Sequence, residues 1–191
     1  MERILVVGCP GSGKSTLSFA LADRLRLPVV HLDQLFWRAG WQQVSPEEFS
    51  AQLDEALQKP RWILDGNFDR TLERRLAVCD TAILLDYPRW RCLLGVTRRV
   101  LSSYGRDRPD MTAGCPEHFE WEFMQYIWQF RRKQGAKINR LLSEAELRGV
   151  QVLRFRTRKA CRKWLQALPQ KRDPEGSLQR EERGSVTPPD R

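Results

Sequence analysis

One nine-residue segment near the start of the chain restricts the possible folds more than any other feature. Residues 8–16 read GCPGSGKST; they follow the apolar run 4–7 and precede a helical pattern of leucines and alanines. The segment fits the pattern Gly, four residues, Gly-Lys-Ser. In that pattern backbone amides surround phosphate oxygens, the lysine reaches the outer phosphates and the serine hydroxyl ligates Mg²⁺. The strand before it and the helix after it predict a P-loop that binds ATP with Mg²⁺.

The P-loop supplies the first site residues. We expect the nucleotide to be held by eight of them, namely Gly8, Pro10, Gly11, Ser12, Gly13, Lys14, Ser15 and Thr16. Lys14 is also expected to act in catalysis, because it can neutralise charge on the transferred phosphate. The Ser15 hydroxyl is expected to ligate the metal ion.

The rest of the chain alternates short apolar runs with helical patterns, which predicts an α/β fold with a parallel sheet wrapped by helices. Five strands are predicted, at 3–7, 28–32, 61–65, 81–86 and 149–155. Beyond the helix that follows the P-loop, helices are predicted at 45–59, 70–77, 89–103, 117–147 and 158–168. Ser45 followed by Pro46 is typical of a helix start. Gly, Pro and Asp dominate the loop 105–116.

The chain of 191 residues has room for one such domain, predicted at 1–168. Residues 169–191 lose all apolar periodicity, and this tail is predicted to be disordered. No segment is long and apolar enough to cross a bilayer, so no membrane partner is expected. The five scattered cysteines include no Cys-x-x-Cys pair. They fit a reducing cytoplasm better than a disulfide framework or a four-cysteine zinc site, and we expect a cytoplasmic protein.

The net charge of +9 suggests a polyanionic partner, either nucleic acid or phosphate-rich small molecules. Much of it lies in residues 89–140, where eleven Lys and Arg accompany five acids. A solvated basic face is one interpretation. The other, which the spacing favours, is a lid whose arginines meet ATP when it closes. Arg98, Arg106 and Arg131 are the first candidates for this role, with Arg98 and Arg131 expected to be catalytic.

Three aspartates, Asp33, Asp65 and Asp86, come at the carboxyl ends of predicted strands. Parallel sheets bind ligands just outside those ends. Carboxylates there can hold Mg²⁺ or its waters, or accept the proton of an acceptor hydroxyl, although Asp also ends strands for local reasons. We expect Asp33 to be catalytic and to bind the acceptor. We expect Asp65 to bind the acceptor and, partly through water, Mg²⁺. For Asp86, a role in the site and a local role in ending the strand both remain open.

Several segments, in order, resemble one family. They are GCPGSGKST, HLDQLFW, ILDGNFDR, AILLDYPRW, GRDRPDMTAGCPE and FEWEFMQYIWQF. They resemble the adenylate-kinase-related topology modulation proteins (the FlaR group) over residues 1–165. The resemblance implies a three-layer fold like that of nucleoside and nucleotide kinases, with a five-stranded parallel sheet in the order 2-3-1-4-5. It also implies an acceptor-binding segment at about 33–60 and a helical lid at about 98–132.

The resemblance also bears on the acceptor. The segment ILDGNFDR stands where nucleoside monophosphate kinases have Asp-Gly-Phe-Pro-Arg, with Asp65 and Gly66 matching. This chain has an insertion of one residue and no proline before Arg70, which separates Arg70 from its usual place. Arg70 and Arg38 are therefore alternative candidates for contact with an acceptor phosphate.

Two functions from different classes follow. The favoured one is a kinase that transfers the γ-phosphate of ATP to a nucleotide or another small-molecule acceptor. The alternative is a P-loop regulator that binds ATP and acts on DNA through its basic face, as the family name suggests. The sequence shows no helix-turn-helix or zinc-finger pattern, which weighs against DNA. It also has no Asn-Lys-x-Asp motif for guanine, which weighs against a GTPase.

Overall fold

The computed structural model describes residues 1–170, so nearly all of the predicted disordered tail lies outside the described residues. Within this range the strands are β1 Arg3–Gly8, β2 Val29–His31, β3 Trp37–Arg38, β4 Gln42–Gln43, β5 Trp62–Asp65, β6 Thr81–Leu85 and β7 Gln151–Phe155. The helices are α1 Lys14–Leu25, α2 Leu32–Phe36, α3 Pro46–Gln58, α4 Leu72–Leu76, α5 Arg89–Ser103, α6 Trp121–Lys133, α7 Gly135–Leu147 and α8 Arg158–Ala167. None of these helices is both long and apolar enough to cross a membrane.

Five of the strands form one parallel sheet in the order β2-β5-β1-β6-β7. Counted as the five predicted strands, this is the order 2-3-1-4-5, so the predicted α/β architecture is confirmed. Every residue of the run 4–7 on the central strand is fully buried. Because the side chains of a strand alternate between its two faces, both faces of the sheet are covered.

Local sequence signals set several helix starts as predicted. The Ser45 hydroxyl accepts a hydrogen bond from the Glu48 amide at 3.1 Å, and Pro46 occupies the first turn of α3. The Thr157 hydroxyl caps α8 in the same way, accepting from the Ala160 amide at 3.2 Å. Helix α8 therefore begins directly after the edge strand β7.

The structure corrects the sequence prediction after β2. The predicted strand 28–32 ends at His31, and the chain turns at once into the short helix α2. Asp33 therefore lies in the first turn of a helix, where a carboxylate is favoured by the helix dipole, and not at the end of a strand. A small antiparallel hairpin of β3 and β4, which the sequence analysis did not predict, follows α2.

The prediction of helix throughout 117–147 is also wrong at two places. Residues before Trp121 are not helical, because Glu117 makes a bridge to Tyr104 and exchanges backbone hydrogen bonds with Gly105 and Arg106. The helical region then divides at Gln134 into α6 and α7. Residues 104–120 therefore form a loop between α5 and α6, and this loop is called the lid loop below.

Candidate active site

A cavity of about 1060 Å³ opens at the carboxyl ends of β1, β2 and β5. Ligands of open parallel sheets bind at this edge, as expected from the sequence. The lining comes mainly from the P-loop, the region from α2 to the hairpin, the loop after β5, and residues of α5, the lid loop and α6. Arg158 of α8 also belongs to it. One cavity thus joins the predicted nucleotide site to the predicted acceptor segment.

The P-loop wraps its backbone around one end of this cavity. Of the eight residues predicted to hold the nucleotide, six line the cavity: Pro10, Gly11, Gly13, Lys14, Ser15 and Thr16. Gly8 and Ser12 lie behind them. The Gly8 amide donates to the Asn67 side-chain oxygen at 3.1 Å, and Ser12 is almost completely buried. The loop is therefore tied at its base to the segment that follows β5.

Helix α5 supports the P-loop from behind. Gly11 has a φ of 76°, and a Cβ placed on it would lie 2.2 Å from the Cys92 carbonyl oxygen of α5. A Cβ on Gly95 would lie 2.1 Å from the Gly11 carbonyl oxygen. Two backbones therefore meet here with no space for any side chain on either glycine.

Lys14 and Asp33, both predicted to be catalytic, line the same cavity. The Lys14 ammonium donates to the Cys9 carbonyl at 3.4 Å within the P-loop. Burial raises the pKa of the Asp33 carboxyl, the Lys14 charge opposes this effect, and the neighbouring Asp65 adds to it. The structure therefore places Asp33 within the electrostatic reach of the P-loop lysine.

Asp65 is held by a buried histidine. His31 and Asp65 are register partners at the ends of the adjacent strands β2 and β5, and the His31 Nδ1 lies 3.1 Å from the Asp65 carboxylate. Both side chains are about 95% buried, and both line the cavity. The sequence analysis gave His31 no role. The structure makes it the group that orients Asp65.

Arg75 fixes the loop after β5, which carries the cavity-lining Phe68. Its fully buried guanidinium donates to the carbonyls of Gly66, Asn67 and Phe68, and to that of Thr71 at 3.3 Å. Burial lowers the pKa of Arg75 to about 9, which leaves it charged at neutral pH. A buried charge that is satisfied by carbonyls alone holds this loop in one conformation.

A charged network in α5 and the lid loop forms the opposite side of the cavity. Arg99 donates to the Glu117 carboxylate at 2.9 Å, and the Arg108 Nε lies 2.7 Å from the other oxygen of Glu117. Arg108 also pairs with Asp110 at 3.1 Å. Burial tends to raise the pKa of Asp110, but Arg108 and a hydrogen bond from the Ser15 hydroxyl outweigh burial and lower it. The lid loop thus reaches the P-loop.

Arg98, Arg106 and Arg131, the lid arginines expected from the sequence, do not join this network. Arg98 and Arg106 are exposed and do not line the cavity. Arg131 is two-thirds exposed and makes a 3.6 Å ion pair with Asp86 near the base of the P-loop. Helical spacing distinguishes Arg98 from Arg99, because Arg99 lies three residues after Val96 on the buried stripe of α5.

The two arginines predicted to meet an acceptor phosphate also lie outside the cavity lining. Arg38 is exposed on the hairpin and makes an ion pair with Glu48 at 2.6 Å. Arg70 is exposed in the turn before α4. Asp65, the third predicted acceptor residue, does line the cavity.

Aromatic rings cover the end of the cavity away from the P-loop. This aromatic wall consists of Phe36, Trp37, Trp41 and Phe68. Their ring centroids follow one another at 5.0 Å (Phe68 to Phe36), 4.9 Å (Phe36 to Trp37) and 5.4 Å (Trp37 to Trp41). The sequence analysis missed this wall, because α2 and the hairpin that bring the rings together were not predicted.

No family model matches the chain, and no curated protein matches it. The resemblance to topology modulation proteins therefore has no support beyond its motifs. Among solved structures, the fold is similar to a shikimate kinase from Bacteroides thetaiotaomicron, with a TM-score of 0.52 and 18% identity over 86% of this chain and 94% of that one.

A second solved structure is a shikimate kinase from Acinetobacter baumannii in complex with shikimate. It has a TM-score of 0.52 and 15% identity over 97% of this chain and 96% of that one. These similarities give the DNA alternative no support. The chain has the fold of P-loop kinases.

Proposed function

We propose that this protein is an ATP-dependent phosphotransferase that transfers the γ-phosphate of ATP to a hydroxyl of a small-molecule acceptor. One observation carries the proposal. The P-loop with Lys14 and the half-buried Asp33 line the same cavity, which lies at the upper end of the size range of ligand sites. The kinase fold of the similar structures supports it.

The nucleotide is assigned to the P-loop end. Backbone amides of residues 11–16 face the phosphates, and Lys14 neutralises the charge on the γ-phosphate. Arg158, which follows β7, also lines the cavity, and we assign it to the end that holds the base. The charged network of the lid loop covers the phosphates and excludes water, which limits hydrolysis.

The donor set fits Mg²⁺. Residues 1–170 contain no group of three or more His, Cys, Asp or Glu placed to hold a metal ion. Mg²⁺ does not need one, because it keeps several waters and binds through substrate phosphates and one or two protein oxygens. The Ser15 hydroxyl would ligate it, with Asp110 and Asp65 in reach of its waters. The ion would supply charge neutralisation on the phosphates.

Asp33 is assigned to the acceptor. Its carboxylate accepts the proton of the acceptor hydroxyl as the hydroxyl oxygen bonds to the γ-phosphorus, and the bond from that phosphorus to the bridging oxygen breaks to release ADP. Arg99 and Arg108 take the place that the sequence analysis gave to Arg98, since they line the cavity. Arg131 stays a proposed lid cation, because its partner Asp86 follows β6 next to the P-loop.

Calorimetry with Lys14→Ala tests the nucleotide site. We expect ATP affinity to fall by roughly one hundredfold or more while the melting temperature stays within a degree or two, because Lys14 contacts phosphates and not the core. Lys159→Ala, an exposed lysine on α8, is the matched control. Equal ATP affinity for the wild type and Lys14→Ala would overturn the proposal.

A transfer assay tests the reaction itself. Release of ADP that depends on an acceptor is to be measured over a panel of nucleosides, nucleotides, sugars and shikimate, the ligand of one similar structure. Transfer to at least one compound, lost in Asp33→Asn, is the expected result. If ADP is released at the same rate with and without every compound, the protein is an ATPase and the proposal fails.

A further inference from the structure

The acceptor end of the cavity shows what kind of molecule it fits. We infer that the acceptor is a neutral molecule of the nucleoside type, with a planar ring and free hydroxyls, and that it carries neither a phosphate nor a carboxylate. This inference rests on the proposed kinase function. It differs from the acceptor phosphate that the sequence analysis assigned to Arg38 and Arg70.

The aromatic wall provides the surface for a planar ring. The four rings line the cavity in succession, each tilted or nearly perpendicular to the next. His118 extends the row, with its ring 5.1 Å from that of Trp41. Phe49 is buried behind the wall, 4.9 Å from Phe68 and 5.6 Å from Phe36, so the rings are supported from behind. Offset or edge contacts with such rings favour a planar ligand.

Two residues of the wall have strained backbones. Trp41 has a φ of 59° and Phe68 a φ of 33°, in the left-handed region that side chains rarely adopt. Such strain persists only where the surroundings impose it, and it collects at functional sites. The Trp41 Nε1 donates to the Pro116 carbonyl at 3.3 Å, and Arg75 holds the backbone of Phe68. Hydrogen bonds to the lid loop and from Arg75 thus hold both positions of the wall in place.

The cations of the cavity are unsuited to an anionic acceptor. Among the residues that the structure describes, four Lys and Arg side chains line it: Lys14, Arg99, Arg108 and Arg158. Arg158 stands beside β7, at the opposite edge of the sheet from β2. Arg99 and Arg108, which share Glu117, are assigned to the phosphates of ATP, and Lys14 belongs to the P-loop. Recognition of a phosphate or carboxylate commonly uses the free fork of an arginine. Among residues 1–170 the lining has none at the acceptor end, because Arg108, whose charge reaches Asp33, is already paired with Asp110 and Glu117.

Arginines of the acceptor segment do not fill this gap. Arg38 binds Glu48 outside the cavity, and Arg70 is exposed beyond the lining. Asp69, which lines this part of the cavity, is already paired with Lys137 at 2.9 Å. The acids beside it are Asp33 and Asp65. Their carboxylates accept hydrogen bonds from hydroxyls, whereas they repel an anion in a partly desolvated site. Hydroxyl groups on a neutral ligand therefore match the charges that surround them.

Binding to the wall can be measured without ATP, because Trp37 and Trp41 report on it by fluorescence. The probes are matched pairs: adenosine, guanosine, cytidine and thymidine, each against its 5′-monophosphate, with adenosine 5′-carboxylate as a carboxylate probe. We expect at least one nucleoside to bind about tenfold or more tightly than its anionic partners. Calorimetry on the same pairs excludes an optical artefact.

Variants of the wall locate the binding site. Trp41→Leu is expected to weaken binding of the preferred nucleoside about tenfold or more, as is usual when a stacking ring is removed. Trp37→Leu is the second variant, which avoids the strained backbone position. Trp90→Leu is the control, since Trp90 is exposed on α5 outside the cavity lining.

The inference is overturned if a monophosphate or the carboxylate binds more tightly than its nucleoside, or if no nucleoside binds. Unchanged affinity in both wall variants would also overturn it. Failure of the proposed kinase function is a separate result. It would be seen as nucleoside binding in a protein that neither binds ATP nor transfers phosphate.

Discussion

The contact between α5 and the P-loop allows a sharp prediction, because the added Cβ of Gly95→Ala would meet backbone. That Cβ would lie 2.1 Å from the Gly11 carbonyl oxygen and 3.0 Å from its carbon, whereas an ordinary contact begins near 3.4 Å. Helix and loop must separate by about 1 Å. Overpacking of this kind costs about 1–3 kcal/mol, and the better helix propensity of alanine returns about 0.5–1 kcal/mol.

For a domain of this size, the balance lowers the melting temperature by up to about 10 °C. The shift of Gly11 also moves its amide away from the phosphates, so we expect ATP affinity to fall about tenfold or more. Thermal unfolding and calorimetry measure the two effects. Gly135→Ala is the matched control, because the nearest atom to its Cβ is the flexible Arg131 side chain at 3.4 Å. If both variants match the wild type, the close packing of α5 on the P-loop is refuted.

Two further predictions concern arginines. Arg75→Met should lower the unfolding free energy by about 2–5 kcal/mol in denaturant titrations, because it leaves buried carbonyls unpaired. Arg74→Met, on the exposed side of α4, is the control and should cost under about 1 kcal/mol. Equal losses in the two variants would contradict the role of Arg75. Arg99→Ala should lower kcat with little change in ATP affinity, because such cations act mainly in the transition state, whereas Arg98→Ala should change neither quantity. If Arg98→Ala lowered kcat and Arg99→Ala did not, Arg98 would again be the catalytic candidate, as expected from the sequence.

The fold could be predicted from the sequence because the sequence signals that set its strands and helices are local. The buried run 4–7, the motif at 8–16 and the capping pair Ser45-Pro46 each depend on neighbouring residues only, and the helix 89–103 was predicted at its observed bounds. Alternation of strands and helices predicted a parallel sheet, and the resemblance to nucleotide kinases implied its strand order, which the structure confirms.

The acceptor end of the cavity could not be read in the same way. Its shape depends on the five-residue helix α2 and on a hairpin whose two strands have two residues each. These elements are too short to give a periodic signal in the sequence. Arg108 and Asp110 come from an irregular loop, where position follows from hydrogen bonds and not from spacing. Arg75 lies three residues after Leu72 on the buried side of α4, but the carbonyls that satisfy its charge come from a loop whose course the sequence did not predict.

The last prediction concerns Asp33, whose carboxyl affects both the stability of the fold and the proposed phosphate transfer. Burial raises the pKa of its carboxyl above the usual value near 3.9. The folded protein therefore binds the proton more tightly than the unfolded chain. The resulting stabilisation is complete at pH values below the unfolded pKa, and it is lost as the pH rises through the folded pKa. At pH 7 the burial of Asp33 thus lowers the stability of the fold relative to its stability at acid pH.

Asp33→Asn removes this cost while keeping the shape of the side chain. We expect its melting temperature at pH 7 to exceed that of the wild type, and the difference to shrink as the pH falls towards 4. Phosphate transfer should fall by about 10²–10⁴-fold, because the proton acceptor is lost. Asp23→Asn, at an exposed carboxylate, is the control for both measurements. A lower melting temperature at pH 7 would show that the Asp33 charge is satisfied in the fold. Unchanged phosphate transfer in Asp33→Asn would show that another group accepts the proton of the acceptor. A buried carboxylate that lowers stability and raises activity is expected only where its charge serves the reaction.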